Sequence, residues 1–531
     1  MCLDFATEWI YIKQWGDEMK LVTANQIREL DRLAIEQRNI PGTTLMLNAA
    51  EHIATEAMKH VPPGGCAAIF CGTGNNGGDG IGAAAFLMDK GVSVRTFLIG
   101  DEEDLTPEAK NLNIRYDALG GSLEPFSPSI DLVDYVSSCA VVIDALFGIG
   151  LNADIKNDAL SAVSVINSSR AVVISADIPS GVHADTGAVL GDAVKADITI
   201  TFTHAKPGQF IEPGCIYCGE LKVCDIGIPR DLLSIVVSHM YAAVPGDIHL
   251  PRRRLNTHKG DYGHALIIAG SVGYTGAPAL SARAATKMGT GLVSLGIPRS
   301  IYDIMATKLD EEMPFPLQDD KKGKLSANAA GEILKQVNKS DVCLIGPGLG
   351  TSNDISELVQ SIISISEAPI VLDADGLNAI AENPDILTQA TCPLILTPHI
   401  GEFKRLGGDL LPGSISKPPD RLKAACEFAS KYGCILVLKG HRTIIALPNG
   451  IAYVNTTGGP AMAKGGSGDV LAGMITALIA QKLPIVHAVV AAVYIHGLSG
   501  DMCAEELGEY CVTATDIIAM LPKAVKQIET I

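Results

Sequence analysis

Short apolar runs alternate with helical stretches through the first half of the chain. Two stretches with helical periodicity, 23–37 and 45–59, come first and are separated by Pro41 and Gly42. The runs that follow are rich in Ala, Val and Ile and occupy 67–71, 92–99, 140–144, 171–177, 196–202 and 219–226. Short, continuously apolar strands that alternate with helices are typical of a parallel sheet covered on both faces. The first half is therefore predicted to be a three-layer α/β domain.

The same rhythm stops near residue 229 and restarts after residue 251. Ser234 to Pro245 breaks the alternation of strands and helices, so we place a domain boundary within 244–250. The later apolar runs are 264–269, 342–345, 369–372, 394–396 and 434–438. Two α/β domains are predicted, residues 1–245 and residues 246–531.

Polar residues and glycines follow the strands of the first domain where each strand ends. The most prominent segment is the glycine-rich loop 72–80, which is predicted to lead into a helix at Ile81. The residues at or just past these ends are Asn75, Asn76, Asp79, Asp144, Gly148, Asp177 and Ser180. One such residue alone is a common turn former, but ligands of parallel sheets bind outside the carboxyl ends of the strands. Their recurrence predicts one shared site, to which Lys206 either adds a cation or is a solvated loop lysine.

A second glycine-rich loop, Gly465 to Gly468, precedes Asp469 and an apolar stretch that predicts a buried helix. The start of a helix offers unpaired N–H groups and the positive pole of the helix dipole, and glycines let a phosphoryl group approach the backbone. Asp469 then has two interpretations. It either caps the helix or acts as a general base that deprotonates a hydroxyl as the hydroxyl meets the phosphoryl group.

Three further strand ends of the second domain carry candidate ligand-binding residues. His399 is either a turn residue with a satisfied ring or a ligand contact beside Glu402. Lys439 is either a surface lysine or a contact to a nucleotide. A third group consists of Asp373, Asp375 and Asn378. These residues either hold Mg²⁺ through water or cap the helix that follows.

Charge and cysteine content limit the possible partners and location. The formal net charge is −18, whereas a nucleic-acid partner normally requires a basic face. We find neither a signal peptide at the start nor a run of about 18 apolar residues, so no membrane partner is expected. Thirteen cysteines, an odd number, fit a reducing compartment. A cytoplasmic protein is expected.

Several motifs are specific enough to indicate a family. In the first half, Gly-Asn-Asn-Gly-Gly-Asp (74–79), Asp-Ala-Leu-Phe-Gly-Ile-Gly (144–150) and Asp-Ile-Pro-Ser-Gly (177–181) resemble the NAD(P)H-hydrate epimerase domain. In the second half, His-Lys-Gly-Asp-Tyr-Gly (258–263), Gly-Pro-Gly-Leu-Gly (346–350), Thr-Pro-His-Ile-Gly-Glu-Phe (397–403) and Gly-Gly-Ser-Gly-Asp (465–469) resemble the ADP-dependent NAD(P)H-hydrate dehydratase domain. The resemblance implies a Rossmann-like first domain and a ribokinase-like second domain.

The resemblance also implies an activity, ligands and site residues. The first domain would interconvert the R and S hydrates of NADH or NADPH, and the second would use ADP to dehydrate the S hydrate, in a homo-oligomer. K⁺ is implied for the first domain and Mg²⁺ for the second. Residues expected to hold the hydrate in the first domain are Asn75, Asn76, Gly77, Gly78, Asp79, Gly148, Ile149, Gly150, Leu151, Asn152, Ala153, Asp154 and Asp177. Residues expected around K⁺ are Asn76, Asp144 and Ser180. Residues expected to face the hydrate in the second domain are Ala277, Gly348, His399 and Asp469, with Lys439, Gly440, His441, Arg442, Thr443 and Gly468 on the adenine nucleotide. Asp177 and Asp469 are the expected catalytic residues.

Two alternatives stay open at this point. A ribokinase-like kinase for a small alcohol would use the same base and anion site but would release a phosphorylated product. For the first half, the alternative is a regulatory or interaction module that binds a nucleotide without turnover.

Overall fold

The computed structural model describes residues 19–408, 410 and 420–529 of the chain. These residues fall into two compact units, one of Met19–Met240 and one of Tyr241–Leu410 with residues 420–529. Each unit places helices on both faces of a largely parallel sheet, so the predicted three-layer α/β fold class is confirmed. That residues 1–245 and 246–531 fold independently stays a prediction.

The first unit contains a seven-stranded parallel sheet. Its strands in chain order are β1 (Met19–Lys20), β2 (Cys66–Cys71), β3 (Ser93–Leu98), β4 (Leu123–Pro125), β5 (Val141–Ala145), β6 (Val172–Ala176), β7 (Ile198–Phe202) and β8 (Glu220–Cys224). The sheet excludes β1 and has the order β4-β3-β2-β5-β6-β7-β8. Its helices are α1 (Ala24–Arg38), α2 (Gly42–Met58), α3 (Asn75–Asp89), α4 (Pro107–Ala118), α5 (Ile130–Ser138), α6 (Asn157–Ser168) and α7 (Arg230–Ile235).

Both faces of this sheet are buried, because alternate side chains of each strand enter different cores. Ile69 and Ile143 lie in one apolar cluster, while Phe70 and Val142 lie in the cluster on the opposite face. This is the reason that the strands appear in the sequence as continuous apolar runs. The order of the strands brings the carboxyl ends of β2, β5, β6 and β7 to one edge of the sheet.

The second unit repeats this architecture with a larger sheet. Its strands are β9 (Met240–Ala243), which spans the division between the units, β10 (His264–Ile268), β11 (Leu292–Pro298), β12 (Met313–Leu317), β13 (Val342–Ile345), β14 (Ile370–Leu372), β15 (Leu394–Leu396), β16 (Ile435–Leu438), β17 (Ile444–Ala446) and β18 (Ala452–Asn455). They follow the order β9-β18-β17-β16-β15-β14-β13-β10-β11-β12. The strands from β16 to β12 run parallel, whereas β17 is antiparallel to both of its neighbours.

Helices cover both faces of the second sheet. They are α8 (Gly276–Lys287), α9 (Tyr302–Lys308), α10 (Ala330–Val337), α11 (Asn353–Ile365), α12 (Asp375–Asn378), α13 (Ile400–Arg405), α14 (Arg421–Tyr432), α15 (Ser467–Ala480), α16 (Ile485–Leu507) and α17 (Ala514–Glu529). The apolar helix predicted after the second glycine loop is α15, and its residues from Val470 to Ala480 are buried.

Helix α16 corrects one expectation from the sequence. It is long and apolar enough to cross a membrane by length and composition, although no such segment was expected. In this fold it belongs to the core, because 72% of its most apolar window is buried inside the protein. Its small and β-branched residues pack with those of α15 in one apolar cluster.

The two glycine-rich loops are shorter than predicted, because each contributes the first turn of a helix. Helix α3 begins at Asn75 instead of Ile81, and α15 begins at Ser467 instead of after Asp469. Close packing explains the glycines in the first turns of α3. A Cβ atom on Gly77 would lie 1.8 Å from the carbonyl oxygen of Gly72, and one on Gly80 would lie 2.5 Å from the side chain of Ala145. A pattern typical of a loop therefore marks a helix that lies against the sheet.

Candidate active sites

A cavity of about 860 Å³ lies at the carboxyl edge of the first sheet. The loops after β2 and β5, the residues that follow β6 and β7, and helices α1 and α2 form its walls. Of the residues predicted to hold the hydrate, ten line this cavity: Asn75, Asn76, Asp79, Gly148, Ile149, Gly150, Leu151, Asn152, Ala153 and Asp177. The strand-end motifs thus meet in one crevice.

Three residues of that predicted set are not part of the cavity wall. Gly77 and Gly78 are buried within α3, and Gly78 lies against the side chain of Met46 from α2. Asp154 is exposed at the end of its loop. Gly77 and Gly78 therefore shape the site through packing.

Asp177 forms a buried ion pair with Lys206 at the floor of the cavity. The Lys206 side chain is fully buried, and its ammonium group also donates to Thr201 Oγ1 at 2.8 Å and to the carbonyl of Phe202 at 3.3 Å. Asp177 has a φ of 63°, a backbone conformation that residues other than glycine seldom adopt. The interpretation of Lys206 as a solvated loop lysine is wrong, because the lysine is fixed against the carboxylate.

Two more carboxyl groups line the same cavity. Burial, followed by the negative charges of Asp177 and Asp31, holds the pKa of Asp79 well above its ordinary value. Burial and the charge of Asp177 raise the pKa of Asp31 to about 6, although the charge of Lys206 opposes this. Asp31 was not predicted from the sequence. The sequence does contain one signal for Asp31. Ile27, Asp31 and Ile35 are spaced four residues apart, so Asp31 shares one face of α1 with two apolar residues.

Asp144 and Ser180 are in direct contact below the cavity. Ser180 Oγ donates to Asp144 Oδ1 at 2.6 Å, and the backbone N–H of Ser180 donates to Oδ2 at 2.9 Å. Burial raises the pKa of Asp144, although the hydrogen bonds from Ser180 and Ser175 oppose this shift. Asn76 is only 8% exposed, and both polar atoms of its amide are buried without a partner among the described residues.

In the second unit, Asp469 is the third residue of α15, and Gly466 is the residue that caps this helix. Gly466 has a φ of 99°, which explains the need for glycine, and among the described residues the Asp469 side chain accepts no capping hydrogen bond. The interpretation of Asp469 as an N-cap is therefore wrong. Burial and the negative charge of Asp373 raise the pKa of Asp469 to about 7, against the opposing charge of Lys439.

Lys439 lies beside the start of α15. Its ammonium donates to Asp373 Oδ1 at 2.7 Å, and a Cβ atom on Gly468 would lie 3.2 Å from the Lys439 Nζ. Burial lowers the pKa of Lys439, but the carboxylates of Asp373 and Glu402 outweigh burial and raise it. Lys439 is thus a largely buried cation paired with Asp373, and the interpretation as a surface lysine is wrong.

The residues after Lys439 form a tight turn. Thr443 Oγ1 donates to the carbonyl of Gly440 at 2.9 Å, and the Arg421 guanidinium donates to the carbonyl of His441 at 3.1 Å. Arg442 has a φ of 55°, and its guanidinium donates to the carbonyl of Thr456 at 3.0 Å. These hydrogen bonds hold residues 440–443, which the resemblance implies in nucleotide binding, in one conformation.

His399 is the N-cap of α13 and is still half-exposed. Its Nδ1 accepts from the backbone N–H groups of Gly401 at 2.9 Å and Glu402 at 3.3 Å. An accepting Nδ1 places the proton of the neutral ring on Nε2, which lies 3.4 Å from a Glu402 carboxylate oxygen. His399 therefore caps the turn through Nδ1 and still offers an accessible N–H donor at Nε2.

The other predicted hydrate contacts of this unit are also neighbours. A Cβ atom on Gly348, whose φ is 67°, would lie 3.3 Å from the Cβ of Ala277 and 3.0 Å from the carbonyl oxygen of Tyr274. Gly348 therefore brings the loop after β13 against the start of α8.

Neither Asp373 nor Asp375 is the N-cap of α12, which is Ala374, and both side chains accept other hydrogen bonds. Asp375 accepts from the backbone N–H of Gly350 at 2.8 Å and from Asn378 at 3.2 Å. Asp373 accepts from Lys439 and from Thr397 Oγ1, the latter at 2.7 Å. Within residues 19–408, 410 and 420–529, no group of three His, Cys, Asp or Glu side chains could hold a metal ion directly. The interpretation as helix caps is wrong, and a water-mediated Mg²⁺ contact stays a prediction.

A buried histidine, His496, lies next to the first residue of α15. His496 on α16 is buried close to the backbone of Ser467, and burial lowers its pKa to about 4. Nothing in the sequence pattern indicates this proximity, because His496 lies within a continuous apolar helix.

Comparison with known proteins relates both units to nicotinamide-nucleotide repair. Residues 265–523 match a family described as NAD(P)H-hydrate dehydratase, and residues 42–208 match one described as YjeF-related protein N-terminus. The bifunctional NAD(P)H-hydrate repair enzyme Nnr of Moorella thermoacetica is 38% identical over 526 residues, covering 96% of this chain and 97% of the relative. The Thermofilum pendens enzyme of the same name is 39% identical over 512 residues, with coverage of 96% and 97%.

Solved structures match about half of the chain. The ADP/ATP-dependent NAD(P)H-hydrate dehydratase from Bacillus subtilis, co-crystallised with ATP and Mg²⁺, is 30% identical with a TM-score of 0.44 and covers 52% of this chain and 94% of its own. A ribokinase-like superfamily protein from Enterococcus faecalis is 26% identical with a TM-score of 0.48 and covers 55% and 98%. The near-complete matches to the bifunctional relatives decide the assignment. The chain belongs to the family of bifunctional NAD(P)H-hydrate repair enzymes.

Proposed function

We propose that the two crevices divide the repair of hydrated NADH and NADPH between them. The first unit interconverts the R and S hydrates, and the second dehydrates the S hydrate to NAD(P)H with a nucleotide as phosphoryl donor. One observation carries this proposal above all. Asp469 lies in the first turn of α15 beside the Lys439 ammonium, so a base and an anion site adjoin.

Dehydration requires the hydroxyl of the hydrate to become a good leaving group. The Asp469 carboxylate removes the hydroxyl proton while the oxygen attacks the terminal phosphorus of ADP, and AMP leaves. Phosphate then leaves from the ring carbon, and the neighbouring carbon loses a proton to restore the double bond. A base with a pKa of about 7 is well matched to this step, because a substantial fraction is ionised near neutral pH.

The surrounding residues supply charge and orientation. Lys439 and the N–H groups at the start of α15, including that of Gly468, face the phosphates, and the turn 440–443 faces the adenine end. His399 Nε2 offers an N–H donor to the hydrate, which lies against Ala277 and Gly348. Mg²⁺ would neutralise phosphate charge, and Asp373 with Asp375 would contact it through water, as Mg²⁺ keeps several waters.

We propose that K⁺ binds beside the first cavity at Asn76, Asp144 and Ser180. The unpartnered, buried amide of Asn76 supplies one oxygen and the buried carboxylate of Asp144 supplies the charge. These are hard oxygen donors with a single negative charge, too little for a tight divalent site. The ion would offset the negative potential around Asp177 and so favour an anionic dinucleotide.

Incubation of the full chain with hydrated cofactor, with and without ADP, tests the proposal. Repair restores the absorbance of the reduced nicotinamide and releases phosphate only when ADP is present. A kinase would instead accumulate a phosphorylated product without that absorbance, and this outcome would reject the dehydratase assignment. The predicted cytoplasmic location and homo-oligomeric state remain predictions, since only composition and resemblance support them.

A further inference from the structure

Helix α1 forms part of the wall of the first cavity, although it precedes the residues 42–208 that match the family. Ile27, Arg28, Asp31 and Ile35 of this helix line the cavity. None of these residues was predicted as part of the site. The only acidic residue among the four is Asp31.

Arg28 fixes the position of this helix at the cavity. Its guanidinium donates to the backbone carbonyl of Ile149 at 3.0 Å and to Asn25 Oδ1 at 2.9 Å. Ile149 belongs to the loop 148–154, which the resemblance assigns to the hydrate. Asp31 is three residues after Arg28 on the same helix face, so the contact with Ile149 also places Asp31 beside that loop.

The Asp31 carboxyl group makes no polar contact with the part of the chain that the structure describes. Within the described residues, it has no hydrogen-bond or ion-pair partner, in contrast to Asp177, which is paired with Lys206. The charged groups that share the cavity with it are Arg28 on its own helix, Asp79 on α3, Glu108 on α4, and Asp177 and Lys206 beyond β6 and β7. A half-buried carboxyl group without a structural partner is available to a ligand.

We propose that Asp31 is a second acid–base group of the epimerase, which acts on the hydroxyl of the hydrate together with Asp177. The proposal rests on the proposed epimerase function and adds a catalytic residue from outside the family match.

Inversion at the hydroxyl-bearing ring carbon explains the need for two such groups. This carbon is bonded to the ring nitrogen, whose lone pair forms a C=N bond when the hydroxyl leaves. Asp31, as the acid, gives its proton to the hydroxyl oxygen, the C–O bond breaks, and water departs. Another water attacks the opposite face, a new C–O bond forms, and the C=N electron pair returns to the nitrogen. The Asp177 carboxylate takes the proton that the attacking water loses.

The step is balanced without an oxidant or a reductant. One water is released and one is consumed, and the proton lost by Asp31 matches the proton gained by Asp177. Proton exchange with solvent restores both groups, and the reverse reaction uses them in exchanged roles.

Asp79 is less suited to this role than Asp31. Burial holds the pKa of Asp79 well above its ordinary value, so its carboxyl group favours the protonated form and is poorly suited to take up a proton. The pKa of Asp31, at about 6, allows the group both to give and to take a proton near neutral pH. The two carboxyl groups therefore have different roles.

The test uses the full chain, pure R hydrate and no nucleotide, with the S hydrate quantified by chromatography. Asp31→Asn is expected to lower kcat by about 10²–10⁴, with KM changed less than about threefold. Asp31→Glu, which keeps a carboxyl group, should retain at least about tenfold more activity than Asp31→Asn. Glu36→Gln removes an exposed carboxylate from the same helix and should behave like wild type.

Two further readouts separate catalysis from a structural role. The wild-type rate should fall above about pH 6 as Asp31 loses its proton, and Asp31→Asn should lack this dependence. In ¹⁸O-labelled water, newly formed S hydrate should carry the label after the spontaneous exchange is subtracted. An unlabelled product, or a rate of Asp31→Asn within about threefold of wild type, would overturn the proposal. If wild type itself does not interconvert the hydrates, the proposed epimerase function fails instead.

Discussion

The pH dependence of dehydration is a direct consequence of the surroundings of Asp469. Burial and the negative charge of Asp373 raise the pKa of Asp469 to about 7. A general base acts in its ionised form, so the rate should increase with pH. With a pKa of about 7, roughly one tenth of the carboxyl groups are ionised at pH 6 and roughly nine tenths at pH 8. We therefore expect kcat to increase about tenfold between pH 6 and pH 8.

The assay follows the reduced-nicotinamide absorbance from the pure S hydrate at saturating ADP between about pH 5.5 and pH 9. Asp469→Asn should lower kcat by about 10²–10⁴ and remove the pH dependence of the remainder. Asp385→Asn, at an exposed aspartate of the same unit, is the matched control and should behave like wild type.

A second variant tests the cause of the shift in pKa. The charge of Lys439 opposes the upward shift of the Asp469 pKa. Lys439→Met should therefore move the midpoint of the pH profile to higher pH, in addition to weakening nucleotide binding. A profile that is flat in wild type, or unchanged in Asp469→Asn, would refute the role of this carboxylate.

The structure and the family resemblance support four further predictions. Lys206→Met leaves a buried carboxylate without its partner and should lower the free energy of unfolding of the first unit by about 3–5 kcal/mol. Urea titration with hydrogen-exchange readout measures this change, and Lys195→Met, at an exposed lysine, is the control that should leave the stability unchanged. Equal stability of the two variants would contradict the buried ion pair. Separately expressed proteins of residues 1–245 and 246–531 should each be soluble and retain one activity, and the domain boundary is wrong if neither folds where the full chain does. Replacing K⁺ with Li⁺ should slow epimerisation in wild type but not in Asn76→Ala, and equal sensitivity in both would remove the cation from this site. Steady-state rates should favour ADP over ATP, and a clear preference for ATP would reject the expected donor.

The periodicity of apolar residues predicts most of the architecture, because strands buried on both faces leave an unambiguous pattern. The same pattern places Asn76, Asp144 and Asp177 at neighbouring strand ends, and the structure brings them to one edge. Local glycine content was misleading, however. Glycine-rich segments were interpreted as loops, whereas close packing of α3 against the sheet requires glycine inside the helix.

Residues whose importance depends on tertiary contacts could not be identified from the sequence. Lys206 appears as a loop lysine, and only the fold shows that it is buried against Asp177. Asp31 lies on a helix far from the motifs along the chain, and it reaches the cavity because α1 lies across the strand ends. His496 could not be identified for the same reason, because it lies in α16 whereas Ser467, to which it is close, begins α15.

The division of labour between the two crevices is tested most directly by complementation between two variants. Asp177→Asn should retain dehydration of the S hydrate, and Asp469→Asn should retain epimerisation of the R hydrate. With pure R hydrate and ADP, each variant alone should form NAD(P)H only at the rate set by spontaneous epimerisation or by residual turnover. A mixture of the two should restore repair toward the wild-type rate, because the S hydrate made by one protein diffuses to the other. A mixture no faster than the sum of its components would contradict the account.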